Sequence, residues 1–177
     1  IEHFWDNGKG GLFVSPDDAS DLPLREKAFR DGAIPSGNSA AMLDLLRLSH
    51  LTGQPECENK AWQLARASGA SAAGQTLGYT MLLSSLDYGL GPAIQIALVG
   101  KKEDEDAVEM LKVIRERFLP SKSVLLSQGE DTAEMAEFAR GLAKIEGKSA
   151  AYVCSGKSCR PPVTSPRELM LMLGEQN

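Results

Sequence analysis

The four residues Gly89-Leu90-Gly91-Pro92 separate two stretches whose apolar residues repeat with different periods. Before them, Met42, Leu45, Leu46, Leu48 and Leu51 recur at spacings near three and four, the period of one helix face. After them, Ala93-Ile94-Gln95-Ile96-Ala97-Leu98-Val99 is a short apolar run bounded by Pro92 and Gly100, the length of a strand. Neither a uniform bundle nor a uniform sheet accommodates both. The chain therefore reads as mixed α and β: an α-helical hairpin region over residues 1–91, then a small β-α-β-α-β-α unit over residues 92–177.

Within the first region, Asp6-Asn7-Gly8-Lys9-Gly10-Gly11 places turn residues between apolar flanks, which predicts a hairpin or extended loop closing on Phe4 and Phe13. Helices are expected from residue 38 or 39 to Leu51, with Gly53 and Pro55 just beyond, then over 56–68 with Gly69 at the end, and over 75–88. In the second region strands are expected at 93–99, 123–126 and 149–154, with a helix at 104–118 between the first two. Asp131-Thr132-Ala133-Glu134 and Ser165-Pro166-Arg167-Glu168 have the pattern of capping boxes, each opening a helix, the last running to Leu173. Connections of this length favour parallel strands with right-handed crossovers.

Composition narrows the function classes. With 177 residues, 42% of them hydrophobic, the chain can bury a core and is expected to be a folded, soluble object. A net charge of -5 and a pI near 5.1, with scattered basic residues, exclude a nucleic-acid surface, which needs a stripe of Lys and Arg. No apolar run approaches the roughly 20 residues that span a bilayer, so no membrane partner is expected. The chain starts at Ile1 and reads from there as an interior segment without a signal peptide, hence as a fragment. Three sparse cysteines, Cys57, Cys154 and Cys159, fit a reducing compartment and a cytoplasmic location.

The densest chemistry lies at Lys27-Ala28-Phe29-Arg30-Asp31-Gly32-Ala33-Ile34-Pro35-Ser36-Gly37-Asn38-Ser39, directly before the first long helix. One capping side chain satisfies one free N–H, so Asp31, Ser36, Asn38 and Ser39 offer more groups than a helix start requires. Either this is a tightly wired structural turn, or Asp31, Ser36 and Asn38, with Arg25 and Lys27, face a polar cavity that takes an anion or sugar hydroxyls. Both readings stand at this point.

Other candidates carry less. Asp6, Asp17 and Asp18 supply carboxylates of the kind glycosidases pair, but acidic residues at turns are ordinarily solvated. Cys154 and Cys159 have four residues between them, where a redox motif at a helix start has two; buried thiols or a bridge are expected ahead of metal, and a thiol-linked redox partner acting through this pair is a further alternative for the function. With only His3 and His50 besides, neither a metal nor another cofactor is expected. Gly147-Lys148-Ser149 and Gly156-Lys157-Ser158 both lack the glycine five residues earlier that a phosphate loop needs. Trp5, Phe4 and Phe13 suit a sugar face or a small apolar staple.

Gly10-Gly11-Leu12-Phe13, the Arg25 to Ser39 stretch, Leu45-Leu46-Arg47-Leu48 and Ala151-Tyr152-Val153-Cys154 with Cys159 and Pro161 together resemble the C-terminal part of a thioredoxin-domain-containing family that includes spermatogenesis-associated proteins. The resemblance implies a longer protein, with a thioredoxin-like domain first and then an α/α toroid similar to six-hairpin glycosidases and N-acylglucosamine 2-epimerases. It places the redox Cys pair of such a protein outside this chain, and projects Asp31, Ser36 and Asn38 toward a central cavity. A few helices cannot close a toroid, so this piece is expected to lack a complete catalytic site, to need the missing segments as partners, and otherwise to expose apolar helix faces or pair with another copy.

Overall fold

The computed structural model describes residues 1–19, 21–128, 136–156 and 158–174. The helix expected from the capping box at 131–134 falls outside the described residues. The chain divides into two compact units, residues 1–49 with 54–91, and residues 50–53 with 92–177.

The first unit holds α1 (Gly37–Thr52, whose last three residues group with the second unit), α2 (Pro55–Gly74) and α3 (Thr80–Leu90), with a 3-10 turn at Thr76–Gly78 before α3. On α1 the buried stripe is Met42, Leu45, Leu46 and Ser49, at i, i+3, i+4 and i+7. Leu48, expected to share it, falls between the turns of that stripe and is 46% exposed. Gly53 follows the helix at φ 71°, a left-handed conformation that halts it without a Cβ clash. Pro55 opens α2 with Glu56 and Glu58 in the first turn, where the helix dipole favours negative charge. This helix runs past the expected stop at Ser68. Gly69 is tolerated because Ala70, Ala72 and Ala73 are strong helix formers, and Ala72 buries its methyl group. The expected third helix is split: residues 76–78 form the tight turn and α3 starts only at Thr80.

Ahead of α1 the chain forms a closed loop rather than two strands. One antiparallel bridge joins Trp5 and Leu12, and the Phe13 amide donates to the Phe4 carbonyl at 2.8 Å. Gly10 and Gly11, at φ 71° and 92°, supply the turn that other residues disfavour. The Asp6 carboxylate accepts the Gly8 and Lys9 amides inside it.

The second unit is a four-stranded sheet in the order β2-β1-β3-β4, with β1 at Ile94–Val99, β2 at Lys122–Ser127, β3 at Ala150–Ser155 and β4 at Ser158–Cys159. Two helices, α4 (Glu105–Glu116) and α5 (Pro166–Gly174), pack on each other. Ile94, Ile96 and Leu98 of β1 join Ala107, Met110 and Ile114 of α4 and Leu169 and Leu173 of α5 in one core. Ala97 faces the other side, against Ala136, Ala139 and Tyr152. Both faces of β1 are thus covered, which is why its sequence is a nearly unbroken apolar run.

β1 and β2 are parallel, as the strand-helix-strand spacing implies, but β3 runs antiparallel to β1. This corrects the all-parallel expectation. Val99, at the end of β1, is opposite both Ser127, at the end of β2, and Ala150, at the start of β3. The chain therefore re-enters at the end of the sheet where β2 finishes, but on the other side of β1. Ser149 fixes that entry point: its amide and hydroxyl both donate to the Asp106 carboxylate in the first turn of α4, at 2.7 Å each.

Candidate functional site

The bend before α1 is organised around three side chains. Asp31 accepts the Ser36 amide on Oδ1 at 2.9 Å and the Met81 amide on Oδ2 at 2.8 Å. Its second acceptor contact is made 50 residues away, in the first turn of α3, whose own flanking residue Tyr79 provides no side-chain cap. The Asp31 amide donates to the Gly78 carbonyl, so both ends of this residue are tied to the same junction. Burial pushes its carboxyl upward, but the Ser36 amide, the Ser39 hydroxyl and the Met81 and Leu82 amides outweigh this and hold it below the ordinary carboxylate value.

Ser36 supplies the start of α1: its hydroxyl accepts the Ser39 amide at 3.1 Å. The same oxygen lies 2.8 Å from the Ser39 hydroxyl and 3.1 Å from the Phe29 carbonyl. Asn38 faces the N-terminal loop. Its Oδ1 accepts the Leu12 amide at 2.6 Å, while Nδ2 donates to the Leu12 carbonyl at 2.9 Å and the Ala28 carbonyl at 2.8 Å. A side-chain amide has this donor and acceptor pattern in common with a backbone peptide, and here it replaces a missing strand partner.

Arg25 and Lys27 belong to the same framework. Arg25 donates to the His3 and Ser15 carbonyls and lies over the Phe13 ring at 4.1 Å. Lys27 pairs with Asp6 at 2.6 Å, donates to the Gly10 carbonyl and lies 5.0 Å from the Phe13 ring centre. The Lys27 hydrogen bond, with the Lys9 and Gly8 amides, lowers the Asp6 pKa to about 2. Asp17 is likewise lowered by its hydrogen bond to His3. The three carboxylates considered for acid-base work thus lie apart in their bonding: Asp6 is held by Lys27, Asp17 by His3, and Asp18 shares neither partner.

Beside this framework lies a cavity of about 350 Å³, lined by Ile1, Phe4, Leu12, Phe13, Val14 and Ala28 together with Gly37 and Asn38. A second concavity of about 460 Å³ is lined by Arg30 and residues 74–78. The structure therefore brings Asn38 to a cavity wall, while Asp31 and Ser36 act behind it on backbone amides. Apolar and aromatic side chains dominate the first wall, so an occupant would be held mainly by contact with its apolar faces.

Two features of the second unit stand out. Asp104 and Asp106 converge on Ser149 next to Gly100, and Lys144 pairs with Asp104 at 2.6 Å. The Lys144 hydrogen bond lowers Asp104; burial raises Asp106 but its bonds to Ser149 and Ala107 prevail. Sequence reasoning passed over this cluster. Its signal was the glycine closing a strand, with two carboxylates at the next helix start. Cys154 and Cys159 form a disulfide, the bridge among the alternatives read from their spacing, and Cys57 is a free thiol. Among the described residues no three His, Cys, Asp or Glu side chains are grouped to hold a metal ion, and no helix is long and apolar enough to cross a membrane.

No protein-family model matches the chain. Curated proteins do. The chain is similar to spermatogenesis-associated protein 20. It is 29% identical to the human protein over 174 residues, and to the rat protein to the same degree. It is also 30% identical over 167 residues to an uncharacterized protein of Caenorhabditis elegans. The match to human spermatogenesis-associated protein 20 covers 96% of this chain but 22% of that protein, so the chain spans about a fifth of the curated relatives it matches.

Proposed function

We propose that this chain is a non-catalytic or site-incomplete part of a longer glycosidase-like protein, of the thioredoxin-domain-containing kind to which we assign spermatogenesis-associated protein 20. In this reading the helical unit contributes one wall of a carbohydrate or small-ligand cavity, and the remaining segments of the same protein supply the rest. The observation that supports it is the pairing of roles at the bend. Gly37 and Asn38 line the cavity beside Phe4 and Phe13, while Asp31 and Ser36 hold that wall through backbone amides. In the same reading the protein is cytoplasmic, where a disulfide such as Cys154–Cys159 is of the transient kind.

The test titrates N-acetylglucosamine into the complete protein. Val14 lines the cavity yet is 66% exposed, so Val14→Trp fills the space without disturbing a core. Saturable binding that Val14→Trp abolishes at unchanged melting temperature is the expected result. Binding that Val14→Trp leaves intact overturns it.

A second reading, an interaction or assembly module in which the α/β unit mediates assembly and the Asp31 bend is purely structural, is favoured by the hydrogen bonding of Asp31 and Asn38, whose side-chain polar groups are all engaged internally. It expects no sugar binding, and loss of stability alone when Asp31 or Asn38 is replaced by Ala.

A further inference from the structure

The disulfide between Cys154 and Cys159 has two unequal ends. Cys154 sits within β3 and is 5% exposed, whereas Cys159, its cross-strand partner on β4, is exposed. The bridge spans only five positions of sequence. It also joins segments that the backbone already holds. Ser155 pairs with Ser158, the Arg160 amide donates to the Val153 carbonyl at 2.9 Å, and Ala151 and Val163 exchange two hydrogen bonds. A staple in that position adds little to the framework, and opening it leaves the ladder on both sides in place.

We propose that Cys154–Cys159 is a thiol–disulfide exchange site, with Cys159 as the attacked sulfur and a dithiol as its redox partner. A thiolate arriving from solvent reaches the Cys159 Sγ, forms a new S–S bond to it, and breaks the bond to Cys154. Cys154 leaves as a thiolate and takes up a proton. The second thiol of the partner then attacks its own sulfur in the mixed disulfide and releases Cys159 as a thiol. Two electrons pass in all: the chain's disulfide becomes two thiols and the dithiol becomes a disulfide. The reverse sequence restores the bond.

The experiment uses the full chain carrying Cys57→Ser, which removes the free thiol. Under native conditions it is exposed to glutathione, quenched with acid and mapped by mass spectrometry. The mixed disulfide is expected on Cys159 in about tenfold excess over Cys154 or more. Dithiothreitol is then expected to open the bond with the circular dichroism spectrum unchanged, and removal of the reductant to restore it. A Cys154→Ser chain, which cannot form the bridge, is expected to take up glutathione from oxidised glutathione at Cys159. An adduct predominantly on Cys154, a bond that opens only in denaturant, or free thiols at both positions in the oxidised protein overturns the proposal.

Discussion

Asp31 caps a helix that begins far along the chain from it: its Oδ2 accepts the Met81 amide at 2.8 Å, across 50 residues. Its Oδ1 holds the Ser36 amide at the mouth of α1, so one carboxylate ties two helix starts together. Asp31→Ala is expected to lower unfolding stability by about 1–3 kcal/mol, the range for losing a cap and leaving amides unpaired. Asp31→Asn keeps one acceptor oxygen and is expected to fall between. Because the folded carboxyl titrates below its ordinary value, this contribution is complete above the unfolded pKa and fades as pH falls through the folded one. Denaturant titrations of wild type and Asp31→Asn should therefore converge as the pH is lowered below about 4.

Asn38 is 3% exposed and satisfies three backbone groups at once, on Leu12 and Ala28. Asn38→Ala leaves a part-buried amide and two carbonyls without these partners, and about 1–3 kcal/mol of stability is expected to go with them. Asn38→Asp preserves the shape but turns a donor toward two carbonyls into an acceptor. It should destabilise at neutral pH by at least as much as the alanine. Equal melting temperatures for wild type and Asn38→Asp would show that the side chain does not bridge the loop to α1.

Much of this was legible beforehand, and the exceptions share a cause. The change of period at Gly91-Pro92 announced two kinds of structure because helices and strands bury side chains at different spacings. The concentration of Asp31, Ser36 and Asn38 announced dense hydrogen bonding for the same elementary reason: polar groups near a buried helix start need partners. Their partners were not legible. Met81 and Leu12 lie in distant parts of the sequence, and nothing local marks an amide as needing a remote cap. The direction of β3 was hidden likewise, since the length of its connection pointed to a parallel strand and β3 runs antiparallel to β1. The contact that accompanies it, Ser149 meeting Asp106, is 43 residues apart in sequence.

Lys27 and Asp6 are each less than one-fifth exposed and meet at 2.6 Å, with Asp6 also receiving two amides. Asp6 is expected to titrate at about 2 in the wild type, as carboxyl resonances followed by NMR against pH would show. In Lys27→Met the strongest of these interactions disappears, and the Asp6 titration should move up toward the ordinary carboxylate range. Asp17, bonded to His3 instead, serves as the internal control and should not move.

Gly100 stands where a Cβ would lie 2.5 Å from the Ser149 Oγ, 2.9 Å from its Cβ and 3.2 Å from the Ala107 Cβ. Neither neighbour can yield easily, because Ser149 is fully buried and its hydroxyl is held by Asp106, while Ala107 lies in the α4 core. Gly100→Ala is expected to cost about 1–3 kcal/mol through overpacking. Ser149→Gly is also destabilising, since Asp106 loses its hydroxyl donor. In the double variant, however, the space that Ser149 vacates receives the new methyl group. The combined loss should therefore be smaller than the sum of the single losses by about 1 kcal/mol or more, measured by denaturant unfolding. Strict additivity would mean that the two residues do not compete for the same volume, and that the entry of β3 is fixed by something other than this contact.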